Sequence, residues 1–77
     1  SLKITQDIVQ IVIDITGNQF IDEGSKYLVS DGWDSLNYLS IAFKVGETYK
    51  IQIKNDNIEN FDSIQKIVKF IIDSKKK

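Results

Sequence analysis

The stretch Gly32-Trp33-Asp34-Ser35-Leu36 sets a hydroxyl beside a carboxylate, where a glycine-containing polar loop gives way to a long apolar segment. Two readings of that junction stand side by side. Asp34 or Ser35 can cap a helix by accepting hydrogen bonds from the free N–H groups of its first turn. An exposed hydroxyl there can also serve as a point of covalent attachment.

The remaining residues remove most other chemistries. The chain has no histidine and no cysteine, so Ser-His and Cys-His nucleophile pairs are excluded. Zinc sites built from those ligands go with them. The acidic residues near 55–63 do not form a calcium loop, because Ile58 stands two positions after Asp56 and no central glycine follows. Asp31 and Asp34 read as a turn residue and a cap rather than metal ligands, and no glycine-rich phosphate loop is present. No metal site and no self-contained enzyme are expected. The missing cysteines also exclude disulfides and fit a reducing compartment.

A chain of 77 residues has room for one small domain. Without repeats, low-complexity tracts or a linker, residues 1–77 are expected to be that single domain. A net charge of −1 argues against a nucleic-acid binder. The one basic run, Lys75-Lys76-Lys77, reads as a solvated tail. No apolar stretch approaches the roughly 20 residues that span a bilayer. Asp7 and Asp14 interrupt the N-terminal apolar residues, so no signal peptide is expected either. A soluble, cytoplasmic protein that does not engage membranes follows.

Five segments must position the junction. In 4–16, Ile4, Ile8, Ile11, Val12 and Ile15 recur on one helical face, and Gly17-Asn18 stops the helix. Residues 17–34 form a long loop, whose Phe20, Ile21, Tyr27, Leu28 and Val29 are expected to pin it across the core. Residues 35–49 form the central helix. A short helical turn is expected at 56–60, capped by Asp56 with Ile58 inward. Asp62 or Ser63 then starts a last helix bearing Ile64, Ile67, Val68 and Ile71, with Phe70 and Ile72 beside them. The fold class is all-α, a small bundle of three long helices and one short one. Ile8, Ile11, Ile15, Ile41, Val45, Tyr49, Ile64, Ile67 and Ile71 are its predicted core.

The central helix is apolar over an arc of about 220°, wider than a core stripe requires. Tyr38, Ile41, Ala42, Val45 and Tyr49 account for one part, and Leu36, Leu39 and Phe43 for the rest. Either the helix is covered from two sides, or Leu36-Leu39-Phe43 faces outward beside Ser35 as a docking edge.

Asp34-Ser35-Leu36 at the start of that helix, followed by Tyr49-Lys50-Ile51-Gln52-Ile53, resembles the acyl carrier proteins. The resemblance covers nearly the whole chain in helix order, length, first loop and the distance from Ser35 to Tyr49 and Ile53. It implies a four-helix carrier rather than an enzyme, acting as a monomer. Ser35 would carry 4′-phosphopantetheine, taken from coenzyme A by a phosphopantetheinyl transferase. Asp34 would assist that modification. The arm's thiol would hold acyl groups as thioesters and present them to acyl-loading and biosynthetic enzymes. Leu36, Leu39, Phe43 and Glu47 would form the partner-binding face.

The chain also departs from the family pattern. Carriers of this kind usually show a strongly acidic central helix, whereas Asn37, Ser40 and Lys44 leave only Asp34 and Glu47 as acids here. Weaker charge steering follows, which weighs against a housekeeping fatty-acid role and favours a dedicated partner set within fatty-acid, polyketide or other specialised biosynthesis. Trp33 before Asp-Ser resembles specialised-pathway carriers; closing the end of the core is its other reading. A peptidyl or aminoacyl carrier, and an unmodified interaction domain with the carrier fold, are the alternatives.

Overall fold

The β-branched residues that crowd the first segment form a helix because their spacing gathers them on one face. In the computed structural model, which describes residues 2–75, α1 runs Leu2–Thr16 and buries Ile4, Ile8, Ile11 and Val12. It starts slightly before the predicted 4–16. It stops at Gly17, whose φ is 74° and whose N–H donates to the Ile13 carbonyl at 2.8 Å. That left-handed closure is cheap for glycine.

The other elements are α2 (Ser35–Tyr49), α3 (Asn55–Ile58), a single 3-10 turn (Glu59–Phe61) and α4 (Ile64–Lys75). α1 packs against both α2 and α4, and the 3-10 turn fills the space between α2 and α4. Among the described residues there is no strand, only an isolated antiparallel bridge between Lys26 and Ser63. The all-α bundle of three long helices and one short one is therefore the architecture. No described helix is long and apolar enough to cross a membrane.

Local capping explains the later boundaries. Ser63 accepts the Lys66 N–H at 3.1 Å and so opens α4. Asp56 is not the cap of α3; it lies inside the first turn. The Lys54 N–H donates instead to Asn57 Oδ1 at 3.3 Å, because Asn57 sits three residues on and can reach back.

The core holds Ile8, Ile11, Ile41, Val45, Ile64, Ile67 and Ile71 as predicted, with Ile15 and Tyr49 half-buried at its edge. Ile4, Val12, Ile21, Trp33, Ala42 and Phe61 complete it. Phe61 meets the edge of Phe70 at 5.3 Å between ring centres.

The loop departs from expectation. Ile21 is buried and Tyr27 half-buried, but Phe20, Leu28 and Val29 are exposed. Polar bonds, not apolar side chains, hold most of it down. Asn18 donates to the Asp31 carbonyl at 3.0 Å, the Tyr27 N–H to the Asp62 carbonyl at 2.8 Å, and the Ile64 N–H to the Ser25 carbonyl at 3.3 Å. Satisfying the backbone this way lets the loop stay ordered without a regular element. At the C-terminus, the Lys75 ammonium stands 5.5 Å from the centre of the Tyr49 ring. The rest of the predicted tail, Lys76-Lys77, lies outside the described residues.

Candidate functional site

Ser35 is the first residue of α2 and is exposed. Of the two capping readings, Asp34 is the one that folds. Its φ is −108°, and its Oδ1 accepts the Asn37 N–H at 3.0 Å. Its carbonyl takes the Tyr38 N–H at 2.8 Å. A helix start offers no internal acceptor to its first N–H groups, so those of Ser35 and Leu36 remain for an anion.

The approach to Ser35 is fixed on three sides. Gly32, at φ 83°, lies against the end of α1, where a Cβ would meet the Thr16 carbonyl oxygen at 2.8 Å. The Asn37 side-chain amide donates to the Gly32 carbonyl at 2.7 Å. Trp33 is 1% exposed, so its side chain roots the junction in the core. Its backbone N–H donates to the Ser30 carbonyl at 3.2 Å, and its carbonyl accepts the Leu28 N–H at 3.0 Å. A hydroxyl thus stands in solvent on a rigid mount. Among the described residues, no group of three acidic side chains converges as a metal site.

The wide apolar arc of α2 divides in two. Ile41, Ala42, Val45 and Gly46 are buried, with Tyr38 and Tyr49 half-buried alongside. Leu36, Leu39 and Phe43 lie exposed beyond them. Glu47 is exposed and pairs with Lys44 at 3.4 Å. The Tyr38 hydroxyl donates to the Ile58 carbonyl and ties α2 to α3. Burial, then the nearby Asp62 charge, pushes that phenol above its ordinary value of 10.0.

Three features went unread in the sequence. Asn37 does not merely face solvent but braces Gly32. Gly46 is a packing requirement, since a Cβ there would lie 2.8 Å from Ile53 Cγ1 and 2.9 Å from the Ile51 carbonyl oxygen. Leu28 and Val29 border the junction through the Leu28–Trp33 hydrogen bond. Only Gly46 had a sequence signal, as a glycine inside a helical pattern.

No protein-family model matches the chain, and no solved structure does. Two curated relatives do match: the acyl carrier proteins of Tropheryma whipplei strains Twist and TW08/27. Each is 36% identical over 78 aligned residues, which cover 95% of this chain and 92% of the relative. Kinship that spans almost the full length of both sequences takes in the loop and helix start around Ser35 as well as the bundle. The chain belongs to the acyl carrier protein family.

Proposed function

We propose that residues 1–77 are one carrier domain, in which Ser35 bears 4′-phosphopantetheine and Asp34 assists its attachment. The observation that carries the reading is the exposed Ser35 hydroxyl at the head of α2, on a mount held by Gly32, Trp33 and Asp34. The residues suit the group. The first-turn N–H groups and the helix dipole favour a phosphodiester anion. The bound arm supplies a thiol that holds acyl groups as thioesters, so the absence of cysteine from the chain is no obstacle.

In the attachment reaction, Ser35 Oγ forms the new bond to the phosphorus of coenzyme A. The pyrophosphate P–O bond breaks, adenosine 3′,5′-bisphosphate leaves, and the hydroxyl proton passes to a base of the transferase. This chain contributes the hydroxyl, its placement and the neighbouring carboxylate. It acts as substrate and partner of enzymes rather than as catalyst. Leu36, Leu39, Phe43 and Glu47 face those partners. The Lys44–Glu47 pair leaves α2 with little net charge, which favours dedicated enzymes over a charge-steered general set.

Incubation with coenzyme A, Mg²⁺ and a broad-specificity phosphopantetheinyl transferase should add one phosphopantetheine, read by intact mass. Ser35→Ala should abolish the addition and keep a helical circular dichroism spectrum. Addition to the alanine variant would falsify the assignment.

A further inference from the structure

An apolar acyl group attached at Ser35 has two places to rest, in the water beside the helices or among them. The hydrophobic effect favours the inside, so the packing next to Ser35 decides. Tyr38 stands one helical turn on from Ser35. Side chains three apart on a helix are neighbours, with about 5–6 Å between their Cβ atoms. Tyr38 is half-buried and packs against the core. Its hydroxyl donates to the carbonyl of Ile58, the last residue of α3. The Tyr27 ring lies 4.6 Å from its own, tilted by 59°. Tyr27 is itself held by the bond from its N–H to the Asp62 carbonyl at 2.8 Å. One side chain thus reaches from α2 to the end of α3 and is braced by the loop.

The seam beyond it is closed as well. α3 buries none of its own residues, so it is a thin wall that depends on what crosses to it. Ile41, Ala42, Val45 and Phe61 are fully buried. Farther along α2 the returning chain comes so near that a Cβ at Gly46 would stand 2.8 Å from Ile53 Cγ1. Tyr38 seals one end of the seam between α2 and residues 51–61, and the Gly46–Ile53 contact seals the other. Surface hollows open elsewhere. One lies between the first half of α1 and residues 21–24, another between Ile51, Asn57 and Phe70, and no residue of α2 lines either.

We propose that Tyr38 bars the inside of the bundle, so that an acyl group carried at Ser35 stays outside it. The proposal rests on the carrier reading above and goes beyond it to the class of cargo. A long alkyl chain held in water keeps its unfavourable hydration. Short acyl groups, and those bearing hydroxyl or amino groups, expose little apolar surface and suit such a carrier.

The test compares acyl lengths on the same protein. Supplying butyryl- or dodecanoyl-coenzyme A in place of coenzyme A forms the same Ser35 Oγ–phosphorus bond and delivers the acyl group already on the arm, as intact mass reports. A chain taken inside stabilises only the folded state and raises its melting temperature. The wild-type butyryl and dodecanoyl forms should melt within about 3 °C of each other. The dodecanoyl form should also be held longer on an alkyl-substituted column, because its chain is exposed. Tyr38→Ala removes the bar and leaves a space. Its dodecanoyl form should melt more than about 3 °C above its butyryl form. Should Tyr38→Ala not fold, Tyr38→Leu takes its place, losing the tie to Ile58 while keeping an apolar side chain; wild-type melting and retention decide if neither folds. A wild-type difference above that threshold, equal retention of the two wild-type forms, or equal melting of the two forms of a folded variant overturns this proposal and leaves the carrier reading standing. Failure of the wild type to gain mass from coenzyme A itself sinks both.

Discussion

A methyl group at position 32 would lie 2.8 Å from the Thr16 carbonyl oxygen and 2.9 Å from Thr16 Cβ, on a backbone at φ 83°. Both contacts are with the end of α1, which cannot yield without loosening its last turn. The left-handed backbone adds strain of about 1–3 kcal/mol for a residue with a Cβ. Gly32→Ala should therefore lower the melting temperature by roughly 5–20 °C in a domain of this size. It should also slow modification of Ser35, because the Asn37 brace to the Gly32 carbonyl moves with it. Melting and mass-addition rates check both; an unaltered variant would show that the junction does not lean on α1.

At the scale of elements, α4 supplies the clearest energetic test. Ile67 is fully buried, and removing a buried isoleucine side chain to alanine costs about 2–5 kcal/mol. Ile67→Ala should drop the melting temperature by more than about 10 °C, against little change for the exposed control Lys69→Ala. Ile67 was readable from spacing alone, as was the whole of 35–49, because periodic burial writes itself into the sequence. Other features of α2 did not. Lys50 ends it at φ 57°, where glycine is usual, so the boundary at 49 was read correctly but the left-handed closure that makes it was not. Gly46 is required by the returning Ile51–Ile53 segment, a tertiary contact invisible along the helix. In the loop, hydropathy put Phe20, Leu28 and Val29 inside. The backbone obeyed its own hydrogen bonds and left them out. At the site, the Asp-Ser junction was legible, and so was Trp33 as a residue closing the end of the core; the bracing from Thr16 and Asn37 was not, since each of those braces comes from the folded chain.

Across the whole molecule, the end away from Ser35 is tied by a polar chain of contacts linking three helices. Lys3 pairs with Asp7 at 3.0 Å, the Tyr49 hydroxyl donates to Asp7 Oδ2 at 3.1 Å, and Lys75 stands over the Tyr49 ring. The Lys3 hydrogen bond, reinforced by that of Tyr49, holds the Asp7 carboxyl below its ordinary 3.8. Burial, then the Asp7 bond and charge, pushes Tyr49 up to about 12. A lowered acid stabilises the fold above its unfolded value and loses that contribution as pH falls through the folded one. A raised phenol contributes fully below about pH 10 and loses its contribution as pH rises towards about 12. Melting should thus be flat from about pH 5 to 9 and fall on either side. Tyr49→Phe should soften the alkaline fall without abolishing it, because Tyr38 is raised as well. An alkaline limb identical in the two proteins would remove Tyr49 from the account.

The bonds from Ser25 and Tyr27 to Asp62 and Ile64 have a consequence for what counts as the smallest working unit. They clasp the run leading to Ser35 onto a stretch of chain that lies beyond both α2 and α3. A fragment ending soon after Tyr49 would keep every residue of the Gly32–Leu36 signature and lose the clasp, along with the α4 side chains beneath it. Its serine would be present but no longer presented. Transplanting the proposed attachment point into another protein therefore means moving the chain well into α4, not the few residues of the Gly32–Leu36 signature.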